Sequence, residues 1–203
     1  MSPLTLINKK FLIFFFILNI ILFSQANSNT NNQDYGIISL MYHRFEENKY
    51  PSTNIRMNDF IQQIEIIEEE GVKFVNPKNF KQEMSNNVDQ RKVLITIDDG
   101  FLSFYENAWP ILKERRIPFI LFVSTREVGK SGYMNWAQIN EVASYNFVEI
   151  GNHSHTHDYL IDFDINDIKN DIETSINIFK KNLNYNSNFF SYPFGEYSLA
   201  FKK

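Results

Sequence analysis

Short apolar runs recur along this chain, each followed by a stretch with helical periodicity, and that alternation limits its possible folds more than any other feature. Gly36 to Tyr42, Val72 to Val75, Lys92 to Ile97, Pro118 to Ser124, Phe147 to Ile150 and Asn188 to Tyr192 read as strands. Several are apolar almost throughout, the pattern of strands covered on both faces. Between them, Asn58 to Glu70 sets Phe60, Ile61, Ile64, Ile66 and Ile67 at helical spacing and closes at Gly71. Ser103 to Arg116 reads as a helix kinked by Pro110, and Asn135 as the cap of a helix opening at Trp136. Asp164 to Leu183 is the longest helical segment, with Ile165, Ile168, Ile172, Ile176 and Phe179 on one side. This order implies an α/β fold on a parallel sheet, open or closed into a barrel. In such folds the loops after the strands carry the chemistry. His43, Asp98–Asp99, His153 to His157 and Tyr192–Pro193 all follow predicted strands, so they are expected on one rim.

At 203 residues, 43% hydrophobic and 22% charged, the chain suits one packed domain of ordinary size. Its net charge is −4, or −6 without Lys9 and Lys10, so no basic excess exists to neutralise phosphates and nucleic acid is excluded as a general partner. The absence of cysteine rules out disulfides, thiolate metal sites and a thiol nucleophile. Lys9–Lys10, the apolar run Phe11 to Phe23 and Ser24-Gln25-Ala26 form the pattern of a secretory leader. As a helix, such a run reaches roughly 20 Å, short of a hydrocarbon core of about 30 Å, which favours cleavage over a permanent membrane span. The expected organisation is a signal peptide over 1–26, a flexible Asn-rich linker over 27–35 and the functional domain over 36–203. The expected address is outside the cytoplasm, periplasmic or extracellular, at the cell envelope.

Two clusters can do chemistry. In Thr96-Ile97-Asp98-Asp99-Gly100, adjacent carboxyls follow a buried strand, where mutual repulsion and desolvation raise at least one pKa unless a cation compensates. A metal on one of them leaves the other free as a base. The alternative is a plain turn and helix start, to which Asp and Gly are both suited. In Gly151-Asn152-His153-Ser154-His155-Thr156-His157, three of the four histidines fall within five residues. His153 and His157 share a face in a helical turn, and all three do in an extended segment; either way two imidazoles can meet one ion. Asp99 with His153 and His157 would give three protein ligands and leave coordination open for water and substrate. Zinc is expected first, with Co, Ni or Fe possible for such a donor set.

Together these residues resemble the polysaccharide deacetylases, carbohydrate esterase family 4, the NodB-homology domain. Thr96-Ile97-Asp98-Asp99-Gly100 resembles the family's T-F-D-D-G motif with Ile97 in place of Phe, and His153 to His157 matches its H-[ST]-x-x-H motif. Ser191-Tyr192-Pro193-Phe194 sits where the family has R-x-P-Y, and Leu40-Met41-Tyr42-His43 resembles its first strand. The wording around Met41 to Phe45 and Tyr192 to Tyr197 is most similar to the branch that deacetylates poly-β-1,6-N-acetylglucosamine. The resemblance implies a distorted (β/α) barrel and metal-dependent removal of N-acetyl groups from an N-acetylated polysaccharide. It implies Asp99, His153 and His157 as ligands, Asp98 as general base and a backbone N–H near Phe194 as oxyanion donor. His43, Tyr192 and Pro193 are expected with Phe194 at the substrate, and His155 is expected to point elsewhere. Peptidoglycan or a chitooligosaccharide is the alternative substrate, and a non-catalytic carbohydrate-binding homologue the alternative role. Two features depart from the pattern: Ser191 replaces the family's arginine, and no histidine follows His157 to act as general acid. The chain ends at Lys203 in a helix expected from Glu196, so it is expected to be C-terminally incomplete.

Overall fold

Strand β5 (Lys92–Ile97) is buried at all six residues, and the sheet is organised on its two edges. The computed structural model describes residues 36–85, 90–199 and 201–202; the expected leader and linker lie outside them. On one edge, β1 (Ile37–Tyr42) pairs in parallel with the whole of β5, from Ile37 opposite Lys92 to Tyr42 opposite Ile97. The other edge is shared. β4 (Lys73–Phe74) takes its start and β6 (Phe119–Val123) its end. Successive residues of a parallel strand bond to opposite sides, so Lys73 and Val75 donate to the carbonyls of Arg91 and Val93 while Asp98 donates to Tyr42. β7 (Val148–Asn152) pairs with β6, and one parallel bridge from Asn152 to Phe190 extends the sheet. That bridge is all that forms of the strand expected over Asn188 to Tyr192; Pro193, with no N–H to donate, follows at once. A separate two-residue parallel pair, β2 (Arg44–Phe45) with β3 (Asn54–Ile55), lies beyond the end of β1.

Helices α1 (Met57–Glu69), α2 (Phe80–Ser85), α3 (Trp109–Arg115), α4 (Trp136–Ala143) and α5 (Ile165–Leu183) connect the strands. Side chains alternate across the sheet, and both faces are covered, which explains the unbroken apolar runs. Ile95, Ile97, Phe119, Leu121, Val148 and Ile150 join Phe60 and Ile64 of α1, Leu112 of α3, Ile139 of α4 and Phe179 of α5 in the main core. Leu94, Ile120 and Phe122 face the other way, in a smaller cluster with Val75. Fully buried rings such as Phe60, Phe104, Phe119 and Phe179 contribute about 1.5–3 kcal/mol each. Gly151 lies against this smaller cluster: a β-carbon there would stand 2.1 Å from a Phe122 ring carbon, so no larger residue fits without a shift.

Three expectations change. The segment expected as a helix kinked by Pro110 is helical from residue 102 to Arg115, but the irregularity takes the form of a π-helical stretch, Phe104–Ala108, over the turn whose carbonyls Pro110 has no N–H to serve. The buried face of α5 is Ile168, Asp171, Ser175 and Phe179, while Ile165 is exposed. No helix forms over residues 196–199, because Glu196 has extended backbone angles. Tyr197 instead packs on Tyr192. Among the described residues, no helix is long and apolar enough to cross a membrane.

Candidate active site and metal centre

Every strand of the sheet runs the same way, so the residues that follow them gather on one rim. His43 follows β1, Asp98–Asp99 follow β5, Ser124 to Arg126 follow β6, His153 follows β7 and Ser191 follows the Phe190 bridge. Neighbouring residues of a strand point to opposite faces, so two adjacent carboxyls serve one site only if the chain turns between them. It does: Asp99 and Gly100 both have φ of 71°. Ser154, His157 and Phe194 also hold left-handed backbone angles, and such non-glycine residues cost about 1–3 kcal/mol each. Four of them border this one site.

Three of the expected residues converge. Asp99 Oδ1 lies 3.0 Å from His157 Nε2 and 3.4 Å from His153 Nε2, and the two Nε2 atoms are 3.2 Å apart. Three corners of a tetrahedron with arms of about 2.0–2.1 Å stand about 3.3–3.4 Å apart, which is the spacing of ligands around zinc. Asp99 Oδ1 is buried, yet among the described residues it has no hydrogen-bond partner, so the rings face a common point rather than donate to the carboxyl. His153 Nδ1 lies 2.8 Å from the Ser191 carbonyl, which can only accept; the proton therefore sits on Nδ1 and leaves Nε2 free to bind a metal. Two imidazoles and a carboxylate are a donor set for a first-row divalent ion, and among the described residues this cluster could hold one.

Asp98 belongs to the site but not to the triad of ligands. Its Oδ2 accepts the Ser191 hydroxyl at 3.1 Å and lies 3.9 Å from His153 Nε2, while its buried Oδ1 has no partner among the described residues. Burial pushes the Asp98 carboxyl up, and the Asp99 charge adds to this; His153 and His43 oppose it without cancelling it. Burial would raise Asp99 too, but the closeness of His153 and His157 holds it well below the carboxylate range. Burial disfavours a charged His153, yet Asp99 and Asp98 hold its pKa above the ordinary value.

The remaining expected residues divide. The Phe194 ring leans on His157, 5.0 Å between centroids, and on Tyr159 at 5.6 Å; it is exposed. Tyr192 instead packs its ring among Phe190, Tyr197 and Phe201, and Pro193 is buried at the start of a short turn. His43 stands close enough to Asp98 to favour its charged form. His155 turns away from the triad, with Nδ1 2.8 Å from the Thr125 hydroxyl. A cavity of about 340 Å³ opens beside the triad, lined by Asp99, Phe101, Ser124, Arg126, Tyr133 and His157 among others. A larger cleft of about 620 Å³ lies near the start of β7, beside Lys78, Phe80 and Glu149, and holds none of these residues.

Several supports were not legible as such. After β6, Thr125 and Arg126 donate backbone N–H groups to the carbonyls of Ser154 and His155, and the Ser124 hydroxyl donates to that of His153. Arg126 also reaches the Thr156 carbonyl at 2.6 Å and Asp158 at 3.2 Å. The strand-end rule that picked out the other loops applies equally to this one. Ser191, a departure by sequence, is the hydroxyl that orients Asp98. On α5, Asp171 and Ser175 occupy core positions, and a polar residue in an apolar stripe is a signal of buried partners.

The chain is similar to proteins named as deacetylases. The poly-beta-1,6-N-acetyl-D-glucosamine N-deacetylase of Staphylococcus epidermidis is 28% identical over 172 residues, covering 78% of this chain and 58% of its own length. This chain thus spans less than three fifths of the curated relatives it matches first. The structure of IcaB from Ammonifex degensii superimposes with a TM-score of 0.75 at 29% identity, covering 84% of this chain and 79% of that one. The Streptococcus pyogenes deacetylase PplD, in complex with acetate, has the same fold, with a TM-score of 0.73 at 24% identity over 82% of this chain and 77% of its own. The family model for polysaccharide deacetylases matches residues 85–203, more than half of the sequence and all of the Asp–Asp, His-loop and Ser191–Phe194 segments, and the chain belongs to that family.

Proposed function

We propose that this chain removes N-acetyl groups from an N-acetylglucosamine polysaccharide, with poly-β-1,6-N-acetylglucosamine as the polymer, and that residues 36–203 form the catalytic domain. The observation that carries this reading is a buried carboxyl oxygen, Asp98 Oδ1, that has no hydrogen-bond partner among the described residues and lies beside three converging ligand atoms. Asp99, His153 and His157 would hold a divalent ion, zinc first by donor set. Such an ion supplies Lewis acidity, polarising an amide carbonyl and lowering the pKa of water toward about 7. Asp98 takes the proton from the attacking water; a carboxyl raised by burial is better matched to that task near neutral pH than an ordinary one. Ser191 keeps Asp98 aimed, and the Phe194 N–H donates to the developing oxyanion. The C–N bond then breaks, leaving acetate and a sugar amine that takes up a proton.

The similarity to poly-β-1,6-N-acetylglucosamine deacetylases supports the polymer, and the leader pattern over residues 1–26 supports export to the cell envelope. The test is acetate release from β-1,6- and β-1,4-linked N-acetylglucosamine oligomers with Zn, Co or Ni added. Chelator-sensitive release from the β-1,6 series is expected. Release only from β-1,4 oligomers would assign a chitin- or peptidoglycan-like substrate instead. Saturable glycan binding without acetate from metal-loaded protein would make this a binding homologue.

A further inference from the structure

We propose that Asp171, on α5, is the positioning residue of the metal centre, an inference that rests on the metal-binding reading above. His153 and His157 flank a loop whose backbone has no strand or helix partner for its N–H groups. All four from residue 154 to residue 157 are taken by side-chain oxygens. Ser154 donates to Asn152 Oδ1 at 2.9 Å and His157 to Ser154 Oγ at 2.9 Å, both local contacts. The middle two, His155 and Thr156, donate to Asp171 Oδ1 at 2.7 Å and Oδ2 at 3.0 Å. Asp171 is only 8% exposed, and α5 reaches the loop a second time through Ser175, which accepts from Asn152 Nδ2 at 2.7 Å.

Two successive N–H groups converging on one carboxylate form a charge-assisted pair, stronger than neutral bonds. The loop needs it, because Ser154 and His157 both hold left-handed backbone angles that their side chains do not favour. A residue that grips positions 155 and 156 sets how far apart the imidazoles at 153 and 157 stand. Asparagine cannot replace it: its single oxygen serves one N–H, and its amide group faces the other donor.

The test compares the intact wild-type protein with Asp171→Asn and Ile168→Val. Ile168 is a buried neighbour on the same face of α5 whose side chain has no hydrogen bond to give the loop. Cobalt(II) binding is measured by chelator competition and by visible absorption, with thermal unfolding of the metal-free proteins alongside. Asp171→Asn is expected to lose about 10–100-fold in cobalt affinity and to alter the visible bands. Ile168→Val is expected to lower the melting temperature and leave affinity and bands unchanged. Asp171→Glu, with two acceptor oxygens on a longer arm, serves where Asp171→Asn fails to fold, and is expected to bind cobalt with altered bands. Wild-type affinity and bands in whichever variant folds, or an equal loss in Ile168→Val, would overturn the role of Asp171. Wild-type protein that bound no cobalt would overturn the metal centre itself, a distinguishable result.

Discussion

Asp98→Asn separates the base from the ligands, because it keeps the shape of the side chain and removes its ability to take a proton. An amide oxygen in the place of Oδ2 still accepts the Ser191 hydroxyl, held at 3.1 Å in the native protein. None of the three ligand atoms is altered, so metal affinity should stay within a few-fold of wild type. A positioned general base is worth about 10²- to 10⁴-fold in rate, or about 2.7–5.4 kcal/mol of barrier. The folded protein should not suffer. Burial, with Asp99 beside it, raises the Asp98 carboxyl despite His153 and His43. An acid whose folded pKa is raised stabilises the fold below its unfolded pKa of about 3.9 and loses that contribution as pH rises through the folded value. At neutral pH and without metal, the charge at Asp98 therefore opposes folding, and Asp98→Asn should melt at or above the wild-type temperature. The assay is acetate release at saturating metal across pH. Wild-type activity should fall on the acid side as Asp98 protonates, and the variant should lack that limb. Full activity in Asp98→Asn would refute the assigned base. A rate lost in step with metal affinity would refute the separation of roles.

In metal-free protein the contributions of Asp99 and His153 to stability are both present between about pH 4 and 6.5. Although burial opposes it, the two histidines hold Asp99 low, so its contribution is present above about pH 3.9 and is lost as pH falls through the folded value. Although burial opposes it too, Asp99 and Asp98 hold His153 high, so its contribution is present below about pH 6.5 and lost as pH rises through the folded value. Thermal unfolding in chelator measures this, and a melting temperature climbing steadily from pH 5 to 8 would contradict it. Gly151→Ala drives a β-carbon to within 2.1 and 2.3 Å of two Phe122 ring carbons and should cost about 1–3 kcal/mol in a denaturant titration. Since the Phe122 ring also neighbours that of His153, 6.4 Å between centroids, unchanged stability would mean the ring yields more freely than a packed core allows.

The parallel α/β architecture was legible in the sequence because both faces of β5, β6 and β7 are buried, and two-sided burial leaves unbroken apolar runs. The rim was legible for the same reason: once the strands are parallel, whatever follows them in sequence shares one end of the sheet. The Asp98–Asp99 pair and the His loop announced themselves, since acids and imidazoles beside buried strands need a compensating charge. Boundaries were less legible where one residue decides them, as at Pro193, which ends the last pairing after a single bridge. Tertiary structure alone decided how the loops are held. That Asp99 Oδ1 and the two Nε2 atoms stand 3.0–3.4 Å apart depends on a left-handed turn at Asp99 and on contacts from β6 and α5. Asp171 grips residues 155 and 156 from 16 and 15 positions away, and Ser191 reaches Asp98 across 93. Periodicity places a residue on a face; it carries no record of which distant backbone that face will meet.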